Sequence, residues 1–140
     1  MNFRIATDKD FKFMQEHSTD KDFYKECPEQ VEYDFVLEHN DDILGVGGFK
    51  MINNTTAWCY FDLSEHVGNH LIVCYRVIKE FTDIFCKEHG ILRLEAYVKV
   101  GFEAGVRTVE HLGFNYEHRM LKFIGQEPAD LYAKFFDGDK

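Results

Sequence analysis

Hydrophobic and polar positions change their period several times along the chain, and each change predicts a new element. Residues 2–6 alternate weakly, as a short strand does. Thr7, followed by acidic residues, is typical of a helix start. This helix is expected to run to about His17 and to bury Phe11 and Met14. The chain therefore opens with a strand and a short amphipathic helix.

A meander of strands is predicted next. Residues 18–30 are polar with two aromatic insertions, and they predict a second short helix that Pro28 stops. Strands follow at residues 31–38, 43–51 and 55–63, and Asn- and Asp-rich turns join them in antiparallel order. Several glycines inside the second of these strands indicate a bulge or a close approach of two backbones.

The clearest periodicity lies in residues 69–89, which predict a long amphipathic helix. Asn69 is the expected N-cap and Gly90 the C-terminal stop. The expected buried face consists of Leu71, Cys74, Tyr75, Ile78, Phe81 and Phe85, widened by Val77 and Ile84. A strand, a short helix closed by Gly113 and two further strands complete the order, at residues 91–98, 103–112, 114–124 and 131–136.

Composition limits the classes of function. The 140 residues are the size of one domain, predicted to span residues 1–140. A net charge of −9 argues against nucleic-acid binding and suits an amine or a basic protein partner, although excess carboxylates also simply maintain solubility. The first residues lack the apolar region of a signal peptide, and no apolar run is long enough to span a membrane. We expect a cytoplasmic protein.

Cysteine and histidine spacing predicts no metal site. The four cysteines are Cys27, Cys59, Cys74 and Cys86. No CxxC pair occurs among them, so buried free thiols in a reducing compartment are the simplest interpretation. His66 and His70 are four residues apart, as two ligands on one helical face would be, but no third ligand matches them.

The element order resembles that of the Gcn5-related N-acetyltransferase (GNAT) superfamily. The most specific residues are 110–114 (EHLGF), which close the short helix, and 3–10 (FRIATDKD), which open the chain. The resemblance covers nearly the whole chain by element order and implies an α/β (α+β) fold. In that fold, a mixed, mostly antiparallel sheet is flanked by helices.

The resemblance also implies an acetyl-CoA site where strand 55–63 meets the long helix. In the family, backbone at the strand end pairs with the pantetheine arm, and helix N-terminal amides bind the pyrophosphate. The cofactor-binding residues it implies are Phe61, Leu63, Gly68, Asn69, His70 and Leu71. Gly68 matches the family loop, whereas Glu65 stands where Arg or Gln is usual and His70 where Gly or Ala is usual. A protonated His66 or His70 would partly offset the carboxylate of Glu65.

Catalytic groups match the family less well. The frequent general acid, a tyrosine in the short helix, corresponds to Val109, and Tyr97 or Tyr116 could act from other positions. The candidates for orienting or deprotonating an amine are Asp62, Glu65 and Glu95. One interpretation of the alternating Trp58, Tyr60 and Asp62 is an aromatic wall with an acid at its end. The other is that the two aromatic rings pack under a helix and Asp62 ends the strand at the surface.

Two functions follow from the resemblance. The first is an acyl-CoA-dependent N-acyltransferase acting on a primary amine of a small molecule or a protein. The second is a non-catalytic GNAT-fold protein used for binding or assembly, which the altered loop and Val109 favour. Small acidic phage-encoded proteins show a similar pattern. Homodimerisation is open in either case.

Overall fold

The computed structural model of the protein describes residues 1–19 and 33–137. The elements are β1 (Asn2–Ile5), α1 (Asp8–His17), β2 (Tyr33–His39), β3 (Asp42–Met51), β4 (Thr56–Leu63), a 3₁₀ segment (Glu65–His70), α2 (Leu71–Glu88), β5 (Arg93–Lys99), α3 (Glu103–His111), β6 (Asn115–Ile124) and β7 (Glu127–Phe135). Most of the predicted second helix, the start of strand 31–38 and Cys27 lie outside the described residues. No helix among the described residues is long and apolar enough to cross a membrane.

The seven strands form one sheet in the order β1-β2-β3-β4-β5-β7-β6. The β4–β5 pair is parallel, whereas β1–β2, β2–β3, β5–β7 and β6–β7 are antiparallel. The last strand of the chain therefore lies between β5 and β6. This architecture confirms the expected mixed, mostly antiparallel sheet with helices.

The chain divides into two compact units. The first, called unit one, comprises residues 1–50 and 59–72, and unit two comprises residues 51–58 and 73–140. In unit one, Met14 is fully buried, and Phe11 packs against the cluster to which Met14 belongs, as the sequence predicted. The span of a single domain over residues 1–140 stays a prediction.

Glycines of β3 allow β4 to lie unusually close within unit one. A Cβ atom on Gly45 would stand 2.6 Å from the carbonyl oxygen of Asp62, and one on Gly47 would stand 2.8 Å from the ring of Phe61. Real Cβ atoms do not approach other atoms so closely. The close backbone approach predicted from these glycines is therefore present, and it sets the distance between β3 and the end of β4.

The predicted long helix needs two corrections. It begins at Leu71, after a 3₁₀ segment that Ser64 caps, rather than at Asn69. Leu71 and Ile84 are exposed, although the pattern placed them on the buried face. The residues of α2 that are buried are Cys74, Tyr75, Ile78, Thr82, Phe85 and Cys86. Each helical residue turns by about 100°, so a core centred on this row includes the hydroxyl of Thr82, whereas Ile84 lies about 140° from the centre of the row and faces away from the core.

The strands of unit two follow the prediction except at two ends. Leu94, Ala96 and Val98 point into the core, but Leu92, which was expected to share their face, precedes β5 and is exposed. The last strand, β7, begins at Glu127 rather than at residue 131. Pro128 concealed this start, because proline at the beginning of a strand interrupts the pattern without preventing pairing.

Candidate functional site

The end of β4 is fixed by backbone hydrogen bonds within unit one. The Thr19 N–H donates to the Leu63 carbonyl at 2.9 Å, and Ser18 and Ser64 form an antiparallel bridge. The Ser64 N–H donates to the Leu44 carbonyl at 2.8 Å. The chain that follows α1 is thereby joined to the exit of β4. The described parallel ladder of β4 with β5 covers Thr56–Trp58, and β4 continues beyond it to Leu63.

Asp62 is buried, so the expectation that it ends the strand at the surface is wrong. Its side chain accepts a hydrogen bond of 2.6 Å from the Ser18 hydroxyl, and the residue is only 4% exposed. The hydroxyl of Tyr60 donates to Asp34 at 2.7 Å, and the ring of Trp58 stacks on Tyr97. Each side chain of the suggested aromatic wall thus has its own packing partner within its unit.

Glu65, His66 and His17 form a polar cluster, called the His-Glu cluster below. Glu65 accepts a hydrogen bond at 2.7 Å from Nδ1 of His17, the last residue of α1. The ring of Phe13 stacks on His17 at 4.4 Å and meets the edge of His66 at 5.2 Å. The carboxylate that was unexpected in a phosphate-binding loop is thus held by a histidine of another element.

Gly68 gives the loop after β4 its shape. Its φ of 49° and ψ of −123° match the first central position of a type II′ turn, which L-residues avoid. No atom lies within 4 Å of the place a Cβ would occupy, so this side of the loop is open. The ring of His70 lies 5.3 Å from that of His39, which draws it toward β2 within unit one. Asn69 and Leu71 are exposed.

The remaining predicted cofactor residues lie on β4. Phe61 is half-buried, and its ring packs edge-on against Phe49 at 6.2 Å. Leu63 is half-buried as well, and its carbonyl is the one that accepts from Thr19. One of the backbone groups expected to be available to a pantetheine arm therefore already has a hydrogen bond within the protein.

The other predicted catalytic residues belong to unit two. Tyr116 lies on β6, is 55% exposed, and meets the ring of Tyr132 edge-on at 5.8 Å. Val109, at the family's tyrosine position, is buried in α3. Glu95 is half-buried on β5, and Nε of Arg93 lies 3.5 Å from its carboxylate. Of the three residues assigned to catalysis, Asp62 and Glu65 are therefore in one unit and Tyr116 in the other.

The three cysteines in the described part of the chain do not resemble nucleophiles. Cys59, Cys74 and Cys86 are buried free thiols, as expected. Burial raises the pKa of Cys86 to about 12 and also raises the pKa of Cys74. Because the thiolate is the reactive form, these two groups are inert near neutral pH.

Sequence reasoning missed His17 and Ser18. Both lie at the C-terminal end of α1, 48 and 44 residues before the side chains that they contact. No spacing rule links positions so far apart, and the sequence pattern marks His17 only as the end of a helix. The pairing of Ser18 with Ser64, which brings these groups together, exists only in the folded chain.

No protein-family model and no curated protein matches the chain. Solved structures do. The ribosomal-protein-S18-alanine N-acetyltransferase from Escherichia coli is 14% identical, with 99% of this chain and 96% of that chain covered at a TM-score of 0.73. A variant of the spermidine N-acetyltransferase SpeG from Vibrio cholerae is 14% identical, with 96% and 95% covered at 0.72. The putative acetyltransferase yncA from Salmonella typhimurium, solved with its cofactor acetyl-CoA, is 16% identical, with 97% and 94% covered at 0.71.

These similarities establish the fold. Almost the full length of each chain superimposes, and the three proteins are acetyltransferases by name, so the GNAT fold expected from the element order is confirmed. All three come from bacteria and give no support to a phage origin.

Proposed function

We propose that the protein is an acyl-CoA-dependent N-acyltransferase that acts on a primary amine of a small molecule or a protein. The observation that carries the proposal is the open type II′ glycine, Gly68, between β4 and α2 in a GNAT fold. A segment that exposes backbone amides without a side chain above them is suited to a pyrophosphate. The yncA structure, with acetyl-CoA bound, supports the choice of cofactor.

In this proposal, acetyl-CoA lies along β4 and the following segment. Backbone groups of Phe61 and Leu63, other than the Leu63 carbonyl that is bonded to Thr19, face the acyl-pantetheine arm, and amides from Gly68 to Leu71 face the pyrophosphate. His70 leaves room for the phosphates because its ring packs against His39. Electrostatically, the hydrogen bond from His17 to Glu65 reduces the repulsion that a lone carboxylate would exert on phosphate.

The reaction needs an amine held against the thioester. The amine nitrogen attacks the acyl carbon, the thiolate of CoA leaves, and the nitrogen loses a proton to a base. Glu65 is the base we favour, because its side chain is 54% exposed and within reach of an entering amine. We assign buried Asp62 a positioning role. Its hydrogen bond with Ser18 holds the residue next to His17, and His17 is the hydrogen-bond partner of Glu65. Tyr116, the third catalytic residue that the sequence predicts, belongs to unit two, and its role stays a prediction.

Positioning of the reactants can by itself supply much of the rate acceleration of such a reaction. The absence of the usual tyrosine at Val109 is therefore compatible with activity. The acidic chain suits a cationic acceptor, and spermidine and a ribosomal protein are the acceptors named for two of the similar structures. The amine class is therefore proposed on charge, and its identity is left to a substrate screen.

The first experiment is a calorimetric titration with acetyl-CoA, with CoA as comparison. We expect micromolar binding to the native protein. Gly68→Trp should weaken it by about a hundredfold, because an indole would fill the open side of the loop. Gly68→Ala is the matched control, since it has the same unfavourable φ without the bulk, and it should keep most of the affinity.

Equal loss in both variants would show that strain rather than occlusion is responsible. No binding by the native protein at millimolar acetyl-CoA would contradict the proposal and leave the non-catalytic alternative. Where binding is found, a screen of polyamines and basic peptides follows, and Glu65→Gln is expected to lower kcat about a hundredfold.

A further inference from the structure

The structure assigns a second binding site to the His-Glu cluster: we propose that His17, Glu65 and His66 bind a divalent transition-metal ion, Zn²⁺ above all. One ligand atom from each of the three side chains lies within 4.8 Å of the other two. The inference does not depend on the proposed acyltransferase activity, although it concerns the same Glu65: in the ion-bound protein this carboxylate is a ligand and is not available as a base. It departs from the sequence expectation, which considered His66 with His70 and found no third ligand.

Donor chemistry selects the class of metal. Two imidazoles and one carboxylate suit Zn²⁺, which is found in proteins with two histidines and a glutamate and a further position open. Mg²⁺ and Ca²⁺ prefer oxygen ligands throughout, so two nitrogen donors make them poor occupants. The side chains of His17, Glu65 and His66 are 31%, 54% and 37% exposed, so the remaining position can be taken by water.

The spacing requires only a small adjustment. Zn²⁺ bonds of about 2.0–2.2 Å place tetrahedral ligand atoms roughly 3.3 Å apart. Nδ1 of His17 and the Glu65 carboxylate are 2.7 Å apart as a hydrogen-bonded pair, and the two imidazole rings lie 5.2 Å apart at 64°. An entering cation would replace the proton between the first two groups. The pair would separate slightly, and His66 would move closer.

The backbone holds the ligands in place before any metal arrives. His17 precedes Ser18, and Glu65 follows Ser64, so the bridge between the two serines adjoins both ligands. Phe13 contacts both imidazole rings and restricts their rotation. A site whose backbone is already ordered loses less conformational entropy on binding.

Carboxylates also lie on the far side of each imidazole. Nδ1 of His66 is 3.8 Å from Asp42, which favours Nε2 as its ligand atom. Nε2 of His17 is 3.9 Å from Glu16, while its Nδ1 faces Glu65. These contacts are longer than hydrogen bonds, and each would have to shorten by several tenths of an ångström before the carboxylate could orient the ring.

The test is a calorimetric titration of the untagged, chelator-treated protein with Zn²⁺ alone. We expect one ion per chain with micromolar affinity. His17→Ala, His66→Ala and Glu65→Gln should each weaken binding by about tenfold or more. His118→Ala, which removes an exposed histidine on β6, is the control and should bind as the native protein does. Thermal melts without metal establish that each variant is folded.

Co²⁺ provides a second measurement that excludes the cysteines. The native protein with Co²⁺ should show the visible absorption of a tetrahedral nitrogen- and oxygen-ligated ion, without a thiolate charge-transfer band. A thiolate band, Zn²⁺ binding that survives the double change of His17 and His66 to alanine, or no binding at millimolar Zn²⁺ would each overturn the proposal. Because no CoA is present, failure here is distinct from failure of the acyltransferase proposal.

Discussion

Asp10 illustrates how one buried carboxylate organises the beginning of α1. It is 3% exposed, and the Arg4 guanidinium donates to both of its oxygens, at 2.7 and 2.8 Å. The backbone N–H and the hydroxyl of Thr7 donate to it as well. The hydrogen bonds from Arg4, the larger cause, together with those from Thr7 lower the pKa of Asp10 to about 2. A buried charge is tolerated here because it accepts four hydrogen bonds, two from Arg4 and two from Thr7.

This depressed pKa predicts a loss of stability in acid. The folded pKa lies below the unfolded value of 3.8, so the stabilisation is complete above pH 4 and is lost as the pH falls toward 2. The contribution is about 2 kcal/mol of unfolding free energy. Urea unfolding at several pH values should show a shallower acid dependence, by this amount, in Asp10→Asn than in the native protein.

Asp8→Asn is the control, because it removes a charge from the same turn at an exposed position. If Asp8→Asn changed the acid dependence of the unfolding free energy as much as Asp10→Asn does, net charge and not the buried ion pair would control stability in acid.

At the scale of elements, α2 shows how the packing of a helix departs from its pattern. The sequence places Phe85 and Ile84 on one apolar face, but the first is 6% exposed and the second 51%. Phe85 stacks on His89 at 4.0 Å and packs with Phe81. Only contact with the rest of unit two decides which adjacent apolar residue is covered. Most of the stabilisation that α2 contributes therefore comes from the buried row that contains Phe85.

Alanine substitutions at Phe85 and at Ile84 should lower the free energy of unfolding by very different amounts. Phe85→Ala leaves a cavity and is expected to cost about 3–5 kcal/mol of unfolding free energy. Ile84→Ala removes a mostly exposed side chain and should cost less than about 1 kcal/mol, since alanine also favours helix. Denaturant unfolding of the two variants measures both values. Comparable losses would mean that Ile84 is covered in solution and that the face predicted from the sequence is the real one.

At the scale of the whole molecule, the two units share their elements. β4 contributes Thr56–Trp58 to unit two and its later residues to unit one, and α2 begins in unit one and continues in unit two. Neither unit is a continuous piece of chain. Because β4 and α2 have residues in both units, unfolding of one unit disrupts an element of the other. Such coupling is typical of one cooperative domain.

The predicted single domain should therefore unfold in one transition. Trp58, the only tryptophan, reports on unit two by fluorescence, and the histidines His17 and His66 report on unit one by NMR. Their unfolding midpoints in urea should coincide, and the calorimetric and van't Hoff enthalpies should agree. Two separate midpoints would instead divide the chain into independently folding parts.

Local patterns were sufficient for most elements and for the glycine-rich strand. Alternation, caps and turn residues act over a few neighbours, so β3, α1 and the turn at Gly113 were recognised close to their observed ends. The start of β7 was missed because Pro128 interrupts the alternation, and the start of α2 was placed at Asn69 because a 3₁₀ segment has no distinct hydrophobic period.

The candidate site was only half visible in the sequence. The loop with Glu65 and Gly68 could be located by resemblance, since its residues are contiguous. Its other half, His17 and Ser18, could not, because the bridge between Ser18 and Ser64 joins positions distant along the chain. The burial of Asp62 depends on the same bridge through its hydrogen bond with Ser18.

The sequence by itself thus determined the order and type of most of the described elements, the acidity of the chain and the glycine of the loop, because each depends on neighbouring residues. Tertiary structure alone decided that β7 lies between β5 and β6, that His17 is hydrogen-bonded to Glu65, and that both join His66 in one cluster. Such contacts arise when the backbone closes long loops, and their energy depends on distances that no local pattern encodes.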